Sequence, residues 1–405
     1  MRLVVLMFGS FGDHAPSWEI AREAQHRGHT VTVLGNAKYL ERLDAAPIET
    51  IAVTTKAESD ENTRVLAEGS TAERGKQFRL TCKTMLRRSH AALKDLAVDL
   101  DVVLLSPHGP GGFAAHLVHE QFGTPVMEYF VDPLPALSSA APWSERLERW
   151  VMNLFAYGMV RSDLNEYRRE LGLPKVDRVP VWAGQHVDVG CGFFPEFVAR
   201  ARPFQPPRER FIMPGFIPLA ETSPQLPPEV ESFLQQGPPP VVVSRPSWGK
   251  AEGRFMEETC AALRQLGARG LFAGFTERMV LPDEFLAVPF LSFSLLLHRS
   301  RALLHHGGAG TVGAAMIAGV PQLVVPQIPM QADYGRRVQA LGVGEMLPHG
   351  KYRRDNIAAR LESLVSSSSV VARCQEYAEI LQSPGPTGSA LCCDELESLH
   401  ACRRK

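Results

Sequence analysis

The stretch RALLHHGGAGTVGAAMIAGVPQLVVPQ, residues 301 to 327, constrains the whole chain. An apolar run, Ala302-Leu303-Leu304, passes through two histidines and three glycines into a small-residue segment. That segment predicts a helix from Thr311 to Ala318, stopped by Gly319, and a second apolar run, VPQLVVPQ, follows. Strand, turn, helix and strand in this order point to an α/β fold with parallel sheets. A strand-to-helix turn needs about one glycine, so Gly307, Gly308 and Gly310 together imply that something approaches the backbone closely. The first turn of the helix offers unpaired N–H groups and the positive end of its dipole, a preformed anion site. Gly308 and Gly310 let a diphosphate reach those amides, Thr311 adds a hydroxyl and His306 an imidazole N–H. A plain turn with incidental histidines is the alternative, because glycines alone are a weak signal.

The same alternation recurs along the chain. RLVVLMFG reads as a first strand and PSWEIAREAQHRG as a helix beginning near Pro16, with Trp18, Ala21 and Ala24 on one face and Gly28 at its end. HTVTVLG is the second strand, and DVVLLSP and TPVMEYF are two more around the helix GGFAAHLVHEQFG. The stretch from Thr54 to about Gln77 mixes charges without apolar periodicity and predicts a mobile loop. RARPFQPPRERFIMPGFIPLAETSPQLPP is proline-rich and predicts an extended connection. PVVVSRP, the helix GRFMEETCAALRQLG and the strand RGLFAGF then lead back to the glycine turn. At 405 residues the chain exceeds what one core supports. The expected organisation is two Rossmann-like α/β halves, residues 1–205 and 206–385. Residues 386–405 form a terminal helix, with Leu391, Leu396 and Leu399 at helical spacing, that packs back on them.

Composition narrows the class. Apolar residues make up 45% and charged residues 21%, with a net charge of -1, so no electrostatic reason exists to expect nucleic acid. MRLVVLMFGSFG lacks a small-residue cleavage pattern and reads as a buried strand rather than a signal peptide. No apolar run reaches the roughly 18 residues that span a bilayer, which leaves only peripheral membrane contact open. Seven cysteines are scattered without zinc-ligand pairs, as expected of reduced thiols in a cytoplasm. HExxH, GxSxG and carboxylate clusters of metal-site spacing are missing, consistent with metal-free, non-covalent chemistry. Oligomeric state is not written in the sequence.

HHGGAGT…A…GVPQLVVP resembles the nucleotide-sugar signature of GT-B glycosyltransferases of the UDP-glycosyltransferase type. GSFGDHAP, PGFIP, VVVSRPSWG and RVQALGVG occur in that family's order over most of the chain. Lipid rhamnosyltransferases and the antibiotic and sterol glycosyltransferases look nearest. The resemblance implies two Rossmann-like domains facing a central cleft, the first binding acceptor and the second a uridine or thymidine diphospho-sugar as co-substrate, with no cofactor. It places His306, Gly308, Gly310 and Thr311 on the donor diphosphate, with Ser247 on the same phosphates. Phe290 falls where an aromatic stacks on the base, though core is an equal alternative, and Leu291 offers backbone to the base edge. Gln331 matches the glutamine that holds sugar hydroxyls.

Two departures matter: Met330 stands where an aspartate is common and Pro246 replaces a glycine before Ser247. A methionine removes a bidentate acceptor for two hydroxyls, which favours a deoxyhexose such as rhamnose over glucose. An inverting displacement needs a base for the acceptor hydroxyl. The resemblance gives that role to Asp13, with His14 as the neighbouring alternative. A helix-capping Asp13 is the structural alternative. His108, after another strand, either orients a group in the acceptor site or is an exposed loop residue. Trp150 and Phe155, in an apolar stripe with Trp143, Leu154 and Met159, either border an apolar acceptor or are core. The expected activity is therefore metal-independent, inverting transfer of a sugar to a hydroxyl of a small apolar acceptor, in bacterial natural-product or glycolipid biosynthesis. The rival readings are a non-catalytic homologue that assists another transferase and a sugar-nucleotide epimerase.

Overall fold

Two fully parallel sheets organise the chain, each with central strands that are short apolar runs buried on both faces. The computed structural model describes residues 1–9, 11–41, 48–97, 99, 101–133, 143–219, 225–244, 252–274, 281–289 and 291–403. The first sheet contains β1 (Arg2–Leu6), β2 (Thr30–Asn36), β3 (Glu49–Thr54), β4 (Val102–Pro107), β5 (Val126–Phe130), β6 (Val189–Gly192) and β7 (Phe211–Ile212). Their spatial order is β3-β2-β1-β4-β5-β6-β7. The second contains β8 (Val241–Ser244), β9 (Gly270–Ala273), β10 (Phe285–Val288), β11 (Ala302–His305), β12 (Gln322–Val324) and β13 (Gly344–Met346), in the order β10-β9-β8-β11-β12-β13. Both sheets are doubly wound, Rossmann-like sheets. Each reverses its strand order once, between β1 and β4 and between β8 and β11, and ligands of such sheets collect at the carboxyl ends of those strands.

The chain divides into two compact units. The first comprises Met1–Glu196, Pro203–Leu219 and Pro386–Lys405, and the second Phe197–Arg202 and Ala220–Gly385. The helix Gly388–Arg403 packs on the helix Phe11–His26, and its Cys392, Cys393, Leu396 and Leu399 share a core with Trp18, Ile20 and Ala21. The second unit has its own cores, one around Val243, Leu304 and Leu361 and another around Val242, Leu303 and Ala315. Among the described residues no helix is long and apolar enough to cross a membrane.

Three sequence expectations are corrected. The stretch expected to be a mobile loop is the helix Lys56–Glu68 followed by the start of the helix Thr71–Ala97. Charge and capping hold it where apolar periodicity does not. The Thr55 hydroxyl accepts from the Glu58 N–H at 3.2 Å, and the Glu58 carboxylate accepts from the Thr55 N–H at 2.8 Å. Arg88 grips the same carboxylate, which holds it down at about 2. The first helix begins at Phe11 and not near Pro16, so Asp13 lies in its first turn instead of capping it from outside. Part of the proline-rich connection is β7, which pairs in parallel with β6.

Thr55→Ala removes half of this capping box and should cost about 1 kcal/mol. Amide hydrogen exchange across Lys56–Glu68 should accelerate about fivefold, the equivalent of that energy, with the second unit unchanged. Unaltered exchange would mean that the cap does not hold the helix.

Candidate active site

The glycine turn follows β11 directly, at the point where the second sheet reverses its strand order. Gly307 has φ +89, and a Cβ there would meet the Gln331 carbonyl oxygen at 2.8 Å and Val324 Cγ1 at 2.8 Å. Only glycine allows both the left-handed backbone and that approach. His305, to which the sequence reading gave no part, fixes the turn from below. Its Nδ1 accepts from the Gly307 N–H at 3.1 Å, which leaves the proton on Nε2 to be donated to Gln322 Oε1 at 3.1 Å. Burial lowers its proton affinity to about 3.

Gly308 is the N-cap of the helix Ala309–Ala318 and has no side-chain cap, while Gly319 ends the helix with φ +68. His306 lies over this helix start: a Cβ on Gly308 would come within 2.7 Å of its Nε2. Burial depresses the imidazole to about 4, and its Nδ1 has no hydrogen-bond partner among the described residues. Gly310 is exposed and Thr311 half-buried in the first turn. The structure thus brings His306, Gly308, Gly310 and Thr311 together at one helix N-terminus.

Gln331 joins them through the Gly307 contact. It lies in the helix Pro329–Ala340, where its Oε1 accepts from the Gln327 N–H at 2.8 Å and its carboxamide nitrogen keeps its donors. Met330 beside it is 44% exposed. The next carboxylate, Asp333, accepts from Arg337 Nε at 2.7 Å and from Arg202 at 3.1 Å. Arg337 also donates to the carbonyls of Val198 and Ala199.

In the first unit the turns after β1 and β4 stand side by side on adjacent strands. Gly9, φ +111, allows the Asp13 carboxylate to close over it, since a Cβ would sit 2.5 Å from Oδ2. Asp13 is half-buried, whereas His14 is wholly buried. The His14 ring packs edge-on against Tyr39 at 4.9 Å, neither of its nitrogens has a partner among the described residues, and burial lowers its proton affinity to about 3.

His108 follows β4 and stacks on Phe130 at 4.3 Å. Its Nδ1 lies 3.1 Å from Oε1 of Glu128, a fully buried residue of β5 that the sequence reading did not single out. His116 Nε2 approaches the same oxygen at 3.3 Å and Arg208 bonds the other. The approach of His108 is within hydrogen-bond distance but off the line that an N–H···O bond prefers, so both atoms remain without an aligned partner. Burial would raise the Glu128 carboxyl, but the facing His108 and His116 imidazoles outweigh it and hold the group well below the usual carboxylate range. A glutamate inside an otherwise apolar strand was the available signal, because a buried charge requires partners.

The remaining expected residues are dispersed. Leu291 is buried in the second unit's core with Val288, Leu296 and Leu303. Ser247 and Phe290 lie outside the described residues. Trp150 and Phe155 belong to the helix Trp143–Glu170, and their side chains lie outside those described. Among the described residues no group of three or more histidine, cysteine, aspartate or glutamate side chains could hold a metal ion.

Comparisons with known proteins bear on the class of the chain. Residues 275–396 match the family model described as erythromycin biosynthesis protein CIII-like, C-terminal domain. The vancomycin aglycone glucosyltransferase of Amycolatopsis orientalis is 28% identical over 362 residues, 85% of each chain. The O-mycaminosyltylonolide 6-deoxyallosyltransferase of Streptomyces fradiae is 29% identical over 250 residues, 59% of this chain and 57% of that relative. The fold is that of solved glycosyltransferases. The kitacinnamycin glycotransferase superposes with a TM-score of 0.75 at 18% identity over 98% of both chains. The calicheamicin glycosyltransferase CalG4 gives 0.71 at 21% identity over 99% of this chain and 98% of its own. Fold and relatives together define a nucleotide-sugar-using glycosyltransferase of the GT-B fold. Within that class the protein is related to the bacterial antibiotic and natural-product glycosyltransferases.

The buried imidazoles give the fold a pH signature. His14, His305 and His306 are depressed to about 3, 3 and 4, so these three sites take up few protons in the folded chain as pH falls from 6.5 towards 4, while in the unfolded chain all three are filled. Stability should therefore fall from pH 6.5 towards 4, each imidazole adding up to about 1.4 kcal/mol per pH unit. His14→Leu should flatten that slope by about one proton in urea unfolding at a series of pH values. An unchanged slope would mean that His14 is protonated in the folded state.

Proposed function

We propose that this glycosyltransferase holds the diphosphate of its donor on the turn between β11 and the helix Ala309–Ala318. It moves the sugar, with inversion, to a hydroxyl of an acceptor bound by the first unit. The observation that carries this reading is the open helix start, with Gly308 uncapped, Gly310 exposed and His306 Nε2 over the same amides. A neutral His306 donates one N–H to the leaving diphosphate, and the helix N-terminus neutralises the developing charge there without a metal. The Gln331 carboxamide then faces the sugar. Asp13 takes the acceptor proton as the anomeric carbon is attacked and the nucleoside diphosphate leaves on the opposite side. The half-buried position of Asp13 and the complete burial of His14 support Asp13 as the base.

Sugar choice rests on Met330. With Asp333 engaged by Arg337 and Arg202, an exposed thioether stands where two hydroxyls would need a carboxylate. This favours a deoxysugar. The two relatives divide on the point, one named for 6-deoxyallose and the other for glucose. Their acceptors, a tylonolide and the vancomycin aglycone, make a natural-product scaffold the favoured acceptor class. Trp143, 74% exposed, and Leu147 on the helix Trp143–Glu170 give the first unit apolar surface suited to it.

His306→Ala should weaken use of a uridine or thymidine diphospho-sugar at least tenfold, about 1.4 kcal/mol, in initial-rate measurements, with activity insensitive to excess chelator. Wild-type donor kinetics in the variant, or activity lost to chelator and restored by magnesium, would remove the diphosphate assignment. Asp13→Asn should lower kcat by about a hundredfold or more, the usual contribution of a general base, with little change in donor KM. Competition between deoxyhexose and glucose donors on one nucleotide should favour the deoxyhexose. Met330→Asp should narrow that preference, since an unpaired buried polar group costs about 1–3 kcal/mol. A wild-type preference for glucose that the variant leaves unchanged would show that Met330 does not read the sugar.

A further inference from the structure

The buried carboxylate of Glu128 is not explained by folding. Glu120, in the same unit, shows what a structural carboxylate looks like: Arg168 donates to both of its oxygens and Trp182 Nε1 to one of them, at 2.9 Å. Glu128 differs. Arg208 satisfies Oε2, but Oε1 faces His108 and His116 with neither bond aligned. An unsatisfied buried polar atom costs about 1–3 kcal/mol, and such a cost is kept where the group is used. Three separate elements converge on this one carboxylate of β5: the turn after β4, the helix Phe113–Phe122 and the segment leading to β7.

Of the two imidazoles only His108 reaches the surface. Its side chain is 32% exposed although Nδ1 is buried against Glu128, so the accessible part of the ring lies away from that nitrogen. Stacking on Phe130 fixes the ring plane, and among the described residues Nε2 meets the Tyr157 hydroxyl alone, at a long 3.4 Å. An anionic Glu128, itself paired with Arg208, keeps the imidazole proton on Nδ1 and leaves a lone pair on Nε2.

We propose that His108 touches the acceptor, its Nε2 accepting a hydrogen bond from an acceptor O–H, with Glu128 as the positioning residue that maintains the required tautomer. The inference rests on the reading of the first unit as the acceptor side. No proton changes hands at His108; Asp13 remains the group that takes one. The pair selects the acceptor class: a free hydroxyl is accepted at this point, whereas an ether or ester oxygen sets its own lone pair against that of Nε2 and is refused.

A binding measurement tests this without requiring turnover. Fluorescence titration with 2-naphthol and 2-methoxynaphthalene compares an O–H with the same ring lacking it. Wild type should bind the naphthol about tenfold more tightly than its methyl ether, as expected where a site is built to pair a hydroxyl. His108→Phe keeps the stacking on Phe130 and should bring the ratio close to unity. Glu128→Gln should reduce the ratio and move the His108 ring 15N shifts from the Nδ1-protonated towards the Nε2-protonated tautomer pattern, which a purely structural glutamate would not affect in that selective way. A wild-type ratio near unity, including failure to bind either probe, overturns the proposal, as does a ratio that His108→Phe leaves intact. Sugar transfer is assayed separately. Transfer without hydroxyl discrimination removes only the role of His108. Discrimination that follows His108 in a protein transferring no sugar keeps the inference and removes the proposed reaction.

Discussion

The close approach of Gly307 to the carbonyl of Gln331 is the contact on which the second unit's site depends. A left-handed residue at this point turns the chain sharply out of β11, so that the next helix starts with its N–H groups uncovered at the carboxyl edge of the sheet. His305 makes the turn rigid by bonding across it, from the Gly307 N–H to the Gln322 side chain on the neighbouring strand β12. Neither residue faces a ligand. Together they hold His306, Gly308 and the helix Pro329–Ala340 in fixed register, so that amides, imidazole and carboxamide form one preorganised surface.

The first unit uses its buried charge differently. Arg168 with Glu120, and in the second unit Arg337 with Asp333, are closed ion pairs whose remaining donors are taken by backbone carbonyls. Such pairs specify packing and leave nothing over. Glu128 is buried as completely yet only partly satisfied, and its spare oxygen faces the one imidazole of the cluster that reaches the surface. On the proposed reading donor recognition rests mainly on backbone dipoles in one unit, and the polar chemistry of the other rests on side chains whose protonation is set by neighbours.

The fold was legible because parallel strands buried on both faces appear as short apolar runs, and the helices between them carry small-residue or one-sided patterns. The glycine turn was legible because three glycines in four residues exceed what an ordinary strand-to-helix turn needs, although at Gly307 the structure adds a packing reason that the sequence does not show. The helix Lys56–Glu68 was not legible, since a capping box and an arginine from a distant helix hold it more than any apolar face does. The Glu128 cluster was hidden by topology, because His108, His116 and Arg208 come from separate segments that only the strand order unites. His305 was passed over because it is adjacent to the histidine that faces outward, and sequence alone does not tell which of two neighbouring imidazoles points into the sheet.

The division of the chain bears on how it is made. The first unit's core includes Cys392, Cys393, Leu396 and Leu399, which pack with Trp18 and Ile20 from the other end of the sequence. During vectorial synthesis that core waits for the helix Gly388–Arg403, which follows all six strands of the second sheet in the chain. The second unit thus has all its strands before the first unit has the helix that completes its core, the reverse of the usual N-terminal-first order. Until that helix docks, the first unit's parallel sheet lacks one covering layer, and exposed apolar surface of this kind is what makes incomplete parallel sheets prone to aggregation.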